Sequence, residues 1–214
     1  MLKMLIMGPA GAGKGTMSNL ICDYYNIPHI STGDMFREEL RQETQLGLQA
    51  KSYMAAGLLV PDEVTIAMVK SRLSRPDCEG GYLLDGFPRS LPQAQAIESL
   101  GINCVINLTI AEERLVERIV DRRICRDCGA IYNVSTLPSQ VEGVCDECGG
   151  ELYQRLDDTY EKLMVRLDSY RQETEPVVEY YREKGVVHDI DAGREISEVF
   201  SSIQQVLDEV KGED

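Results

Sequence analysis

The chain has 214 residues and a formal charge of −14, with 27% charged and 43% apolar side chains. That length supports one sizeable core with small inserted lobes, and the composition excludes a disordered chain. The acidic balance argues against general nucleic-acid binding, which needs a basic footprint, and no apolar run approaches the eighteen or so residues of a membrane span.

Met1–Met7 is too short for a signal peptide and runs straight into a glycine-rich loop, so no cleaved leader is expected and the location is read as cytoplasmic. The apolar run Leu2–Met7 leads into Gly8-x-x-x-x-Gly13-Lys14-Gly15-Thr16, and the helical spacing of Leu20, Ile21, Tyr24 and Tyr25 follows. A buried strand that delivers glycines to a helix start leaves room for backbone N–H groups to wrap a phosphate chain. The helix then turns its partly positive end toward the same anion. Lys14 adds a full charge at the outer phosphates, and Thr16 offers a hydroxyl for Mg²⁺. Gly-x₄-Gly-Lys alone arises by accident in roughly one chain of this length in twenty, as a turn beside a surface lysine. The flanking strand and helix make the phosphate reading far more specific. Gly15 departs from the general motif, which places Ser or Thr directly after the lysine.

Further apolar runs at Pro28–Ser31, Tyr82–Leu84, Cys104–Ile110 and Val186–Ile190 alternate with helically periodic segments. Such alternation predicts a five-stranded parallel sheet covered by helices on both faces, a three-layer α/β fold with ligands beyond the carboxyl ends of its strands. Gly8, Thr32 and Asp85 each follow a run closely and are expected to converge on that edge. His29 and His188 lie in strand-like runs and read as packing residues.

Residues 121–158 interrupt the alternation. They hold Cys125-x-x-Cys128 and Cys145-x-x-Cys148, separated by residues 129–144, a spacing that suits a four-thiolate zinc site. Gly129 and Gly149 directly after the pairs permit tight turns. Zinc there is structural, because four thiolates leave no position for water; iron is the variant metal. The segment has little apolar core, and metal binding worth on the order of 10 kcal/mol replaces one. Cys22, Cys78 and Cys104 lie among apolar neighbours and read as core residues.

Three more motifs accompany the loop: Ser31-Thr32-Gly33-Asp34-Met35-Phe36-Arg37, Leu84-Asp85-Gly86-Phe87-Pro88-Arg89 and Arg122-Arg123. With Gly8–Thr16 in this order, the chain resembles the adenylate kinase family, in its long form with a metal-binding lid, from about residue 1 to 210. Gly15-Thr16 is what that family carries. The resemblance implies a P-loop core of residues 1–30, 61–120 and 159–214, a helical insert for the monophosphate at 31–60 and a small β-rich zinc lid at 121–158. It implies transfer of a phosphoryl group from MgATP to AMP, giving two ADP. Nothing in the sequence suggests a partner surface, so a monomer is the default, and neither nucleic acid nor membrane is expected as a partner.

The resemblance also distributes roles. Gly11, Ala12, Gly13, Lys14, Gly15 and Thr16 hold ATP, with Arg118 and Arg122 at the lid hinge, and with Ile131, Tyr132 and Arg194 near its base. Thr32, the backbone of Leu58, Leu59 and Val60, the turn Gly86-Phe87-Pro88, and Gln93 shape the AMP pocket, with Arg37 and Arg89 clamping its phosphate. Thr32, where pyrimidine-directed relatives tend to carry Ala, favours AMP over UMP or CMP. Arg155 and Arg166 close over the phosphates, and Asp85 joins Thr16 at magnesium-bound water. Asp157 and Asp158 are expected as salt-bridge partners or caps, and Arg114 as part of a solvated stripe. Physical chemistry supports the arginines: planar guanidinium grips phosphate in two places, and charge spreading in the transition state needs cations around it. The rival readings are another nucleoside monophosphate kinase, taking UMP, CMP or GMP, and more distantly a zinc-ribbon module for nucleic acid.

Overall fold

In a computed structural model, which describes residues 1–212, alternate side chains of the first apolar run go to opposite sides. Residues 213–214, the last of the expected core stretch, lie outside the described residues. Elements follow in the order β1 (Leu2–Met7), α1 (Lys14–Tyr25), β2 (His29–Ser31), α2 (Thr32–Arg41), α3 (Gln45–Ala56), α4 (Asp62–Leu73), β3 (Gly81–Asp85), α5 (Leu91–Ala96), β4 (Cys104–Thr109), α6 (Glu113–Val120), β5 (Arg122–Cys125), β6 (Ile131–Asn133), β7 (Leu152–Tyr153), α7 (Tyr160–Ser169), α8 (Glu175–Arg182), β8 (Val187–Asp191) and α9 (Ile196–Gly212).

Leu2, Met4 and Ile6 of β1 pack with Ile21 of α1 and with Val199, Ile203 and Leu207 of α9. Leu5 and Met7 face the other way, against a cluster that includes Val69 of α4, Ala94 of α5 and Val177 and Tyr181 of α8. The two-residue side-chain period thus builds two cores on one sheet, the three-layer arrangement expected. The sheet runs β2-β3-β1-β4-β8 with every pairing parallel. Its five strands are the five apolar runs, with ends shifted by one residue or so. Cys22, Cys78 and Cys104 are buried, and burial pushes the Cys22 and Cys104 thiols up to about 12.

Two pieces stand out from the platform. Residues 32–56 form the helical hairpin α2–α3, with Ser31 and Thr44 as N-caps that accept from Asp34 N and Gly47 N. Strands β5, β6 and β7 form a separate antiparallel sheet in the order β6-β5-β7. The chain returns through α7, which Thr159 caps by accepting from Lys162 N. It then passes a π turn at Tyr170–Thr174 into α8. Pro176 lies in the first turn of α8, and its missing N–H accounts for the broken α-helical ladder.

Candidate active site

β1 ends where the glycine loop begins, and its register leaves no room for a side chain there. A Cβ on Gly8 would stand 2.6 Å from the carbonyl oxygen of Leu108 on the neighbouring strand, and its φ of 135° suits only glycine. The loop closes at Gly13, the N-cap of α1, which has no side-chain cap. The first N–H groups of the helix therefore remain open to an anion. Lys14 folds back over the loop, its Nζ donating to the carbonyls of Gly8 at 2.7 Å and Pro9 at 2.9 Å. Burial brings its pKa down to about 7, with Arg89, Arg166 and Arg122 adding repulsion and Asp85 opposing them. Gly15 has a local reason: a Cβ there would lie 3.2 Å from Ile131 Cδ1, so glycine lets β6 sit close over the loop.

Asp85 ends β3 beside this loop. Burial alone would raise its pKa, but contact with His29 and the charges of Lys14 and Arg89 prevail and hold it below the ordinary carboxylate value. His29 Nε2 lies 3.4 Å from Asp85 Oδ2 because β2 and β3 are adjacent and parallel. His29 also lines the cleft, so it does more than pack; the apolar run that contains it concealed this partnership.

Arginines face the loop from three directions. Arg37 of α2 donates through Nε to Asp34 at 3.1 Å, and Arg155, on the segment returning from β7, approaches the same carboxylate at 3.6 Å. Burial would raise the Asp34 pKa, yet Arg37 and Arg155 bring it down to about 2. Arg89 Nε donates to Gly86 O at 2.7 Å. Arg122 grips the fully buried Asp158 with two nitrogens, Nε at 2.8 Å, and Arg166 pairs with Asp157 at 2.9 Å. Asp157 and Asp158 thus act as ion-pair partners, and the helix cap falls to Thr159. Burial comes first in lowering Arg89 and Arg155 to about 10; Arg166 adds repulsion at Arg89, and Arg37 and Arg122 add it at Arg155. So many crowded guanidiniums in a chain of net charge −14 describe a polyanion site.

Lys14, His29, Asp34, Asp85 and Asp157, with Arg37, Arg89, Arg122, Arg155 and Arg166, border one cleft of about 1500 Å³, and the buried Asp158 stands behind it. Single small-molecule pockets are about 300–1,000 Å³, so this space exceeds what one ligand needs. Its wall includes Gly11, Ala12, Gly13, Lys14, Gly15, Thr16, Asp85, Arg118, Arg122, Ile131, Tyr132 and Arg194, together with Arg37, Gly86, Arg89, Arg155 and Arg166. A side void of about 60 Å³ adds Leu59, Phe87 and Pro88. Arg118 donates to Ala192 O at 2.9 Å, and Arg194 to Asp191 O and Ser202 Oγ, which ties this wall to the β8–α9 connection. Arg114 donates to Gly193 O and lines the same cleft, so the solvated stripe has an anchor.

Thr32 and Gln93 lie behind the wall. Thr32 Oγ1 donates to Gly86 O at 2.9 Å. Gln93 Nε2 donates to Asp62 at 2.7 Å while its Oε1 accepts from Arg89 N at 2.8 Å. Leu58 is exposed and Val60 half-buried on the connection from α3 to α4; among the described residues neither reaches the cleft wall.

The four paired cysteines meet. Their sulfurs all lie within 4.8 Å of one another, with Cys125 to Cys148 at 3.4 Å and Cys128 to Cys145 at 3.5 Å. A tetrahedron with bonds of about 2.3 Å sets sulfurs roughly 3.8 Å apart, so the donor set and spacing fit zinc. Asp127 N donates to Cys125 Sγ at 3.4 Å. Tyr132, which lines the cleft, places its hydroxyl 3.4 Å from Cys145 Sγ and accepts from Asp146 N at 2.8 Å. The hydroxyl holds the Cys145 thiol down to about 6. Spacing arguments missed this role, because only the β6 register says which way Tyr132 points.

Fold and site together define a P-loop nucleotide phosphotransferase: a phosphate loop at the carboxyl edge of a parallel sheet, opposed by arginines across one cleft sized for two ligands. Comparison with known proteins narrows the class. The family model for adenylate kinase matches residues 6–186. The chain is 53% identical to the adenylate kinase of Carboxydothermus hydrogenoformans over 96% of its own length and 99% of the relative's. It is 47% identical to that of Archaeoglobus fulgidus, covering 98% and 100% of the two chains, and 49% identical to that of Bacillus pumilus, covering 96% and 98%. The chain belongs to the adenylate kinase family.

Proposed function

We propose that the protein transfers a phosphoryl group reversibly from MgATP to AMP, giving two ADP. The observation that carries this reading is the single large cleft with Lys14 and an open helix start on one wall and Arg37 and Arg89 on another. Two anions of like charge can approach only where cations neutralise both. Here the guanidiniums repel one another, and substrate phosphates relieve that repulsion. The loop N–H groups and Lys14 hold the donor triphosphate; Arg37 and Arg89 orient the acceptor phosphate; Arg122, Arg155 and Arg166 surround the phosphoryl group as its charge spreads. Asp157 and Asp158 keep Arg166 and Arg122 in place. No proton need be taken by a side chain in this scheme.

Magnesium arrives with the nucleotide and neutralises phosphate charge; the ionised Asp85 and the Thr16 hydroxyl are the oxygen donors suited to hold its water shell. Zinc, held by Cys125, Cys128, Cys145 and Cys148, rigidifies the β5–β7 lobe. Residues 31–60 and 121–158 act as the two closing pieces over acceptor and donor, expelling water that would otherwise hydrolyse ATP. Gly57, in the left-handed conformation after α3, is a hinge for the first. Thr32 and Gln93 shape the acceptor pocket from behind, holding Gly86 and the Arg89 backbone in place. The reading includes a cytoplasmic monomer; no helix among the described residues is long and apolar enough to cross a membrane.

The test is ADP formation from MgATP with a panel of monophosphates. AMP should exceed GMP, CMP and UMP by orders of magnitude in kcat/KM. Preference for another monophosphate would overturn the substrate assignment, and a salt-dependent gel shift on RNA or DNA would favour the nucleic-acid reading.

A further inference from the structure

Strand β6 presents its two leading side chains differently. Ile131 reaches across the phosphate loop, while the next residue, Tyr132, turns its hydroxyl to the cysteine cluster. The partners fix the direction of both hydrogen bonds. A backbone N–H can only donate, so the 2.8 Å contact from Asp146 N occupies a lone pair of the phenol oxygen. The phenol proton is then free for Cys145 Sγ, 3.4 Å away, and a metal-bound thiolate can only accept it. Tyr132 and Cys145 are both buried, whereas Cys128 and Cys148 are exposed.

We propose that Tyr132 is a positioning residue of the lid metal site: its hydroxyl bridges the Asp146 amide to the Cys145 thiolate and holds that sulfur on the metal. The inference rests on the four-thiolate reading of the cluster. The hydrogen bond spreads part of the thiolate charge onto the phenol and fixes the direction in which that sulfur points. The bridge also fixes the turn after Cys145, since Asp146 is its next residue. Cys145 is therefore held more firmly than the exposed Cys128 and Cys148, where loss of metal starts. Ile131 and Tyr132 are joined by one peptide, so the same anchor sets the height of β6 over the donor loop.

The experiment compares the wild-type chain with Tyr132→Phe, both loaded with one zinc per chain. Zinc release into excess chromophoric chelator is followed by absorbance. A parallel pair loaded with cobalt(II) is read by its thiolate-to-metal charge-transfer bands. Phe keeps the ring and removes only the hydroxyl. Zinc release should accelerate by about 10–100-fold, the range typical when such supporting contacts to a metal ligand are lost. The cobalt bands should move to longer wavelength, because a sulfur without its donor is easier to oxidise. Should Tyr132→Phe fail to fold, 3,5-difluorotyrosine at position 132, compared with wild type at a mildly acidic pH that keeps the phenol protonated, makes the hydroxyl a stronger donor, so release should slow and the bands move to shorter wavelength. Release within twofold of wild type with unchanged bands, in whichever variant folds, overturns the role of Tyr132 and leaves the metal site standing. A wild-type chain that takes up no zinc or cobalt overturns the metal reading itself.

Discussion

Around β1, apolar side chains on both faces are covered by α1 and α9 on one side and by α4, α5 and α8 on the other. The β5–β7 lobe has nothing comparable: its buried cluster is Cys125, Ala130, Tyr132 and Cys145, with Leu152 packed beside it. One region is held by hydrophobic burial spread over many residues, whereas the other gathers four sulfurs that a single ion could tie together. With zinc bound there, as proposed, the chain carries a floor and a separately stabilised cover without enlarging its core. It also says where each region should break.

Metal removal is the largest expected effect. Chelation of the zinc-loaded chain should withdraw on the order of 10 kcal/mol from the lobe. Amide hydrogen exchange should then rise across 122–153 while 2–7 and 104–109 stay protected. Exchange rising equally in the sheet would show that the two regions are not separately stabilised. Next comes chemistry at the platform edge. Arg89→Met should lower kcat by on the order of 10²–10⁴ while the thermal midpoint moves little, since the lost group lines the cleft among other cations. A comparable loss of stability would mean that Arg89 serves the fold.

Ile106→Ala, at a fully buried position of β4, should remove about 2–5 kcal/mol of global stability in denaturant titration and leave zinc affinity unchanged. The smallest effect concerns Lys14. In the free enzyme its pKa is about 7, depressed by burial, and a bound polyphosphate should return it toward its ordinary value. Affinity is then complete below pH 7 and declines as pH rises through it, with proton uptake on binding. Calorimetry at pH 8 in buffers of different ionisation enthalpy should give uptake near one proton per MgATP, and almost none in Lys14→Met. No uptake in the wild type would show that Lys14 is already charged in the free enzyme.

Much of the platform was legible because its signals are local. Apolar runs of strand length, a glycine loop with a lysine and a cysteine spacing each declare themselves within a few dozen residues. What escaped depends on register between distant segments. His29 and Asp85 meet only because β2 lies beside β3, and Tyr132 reaches Cys145 only because β6 turns that side chain toward the lobe interior. Gln93 resembles an available base contact in the sequence, yet Asp62 and the Arg89 amide hold both ends of its side-chain amide. Gly15, odd beside the general phosphate-loop pattern, acquires its reason once Ile131 is seen above it.

The central claim is that one cleft holds two nucleotides with their phosphates facing. It is tested most directly by calorimetric titration with two adenosines joined through five phosphates, which spans both sites at once. The account predicts one molecule bound per chain, with Kd orders of magnitude below that of ATP or AMP alone and strongly weakened in Arg89→Met. Binding of two molecules per chain, or of one no tighter than ATP, would contradict it.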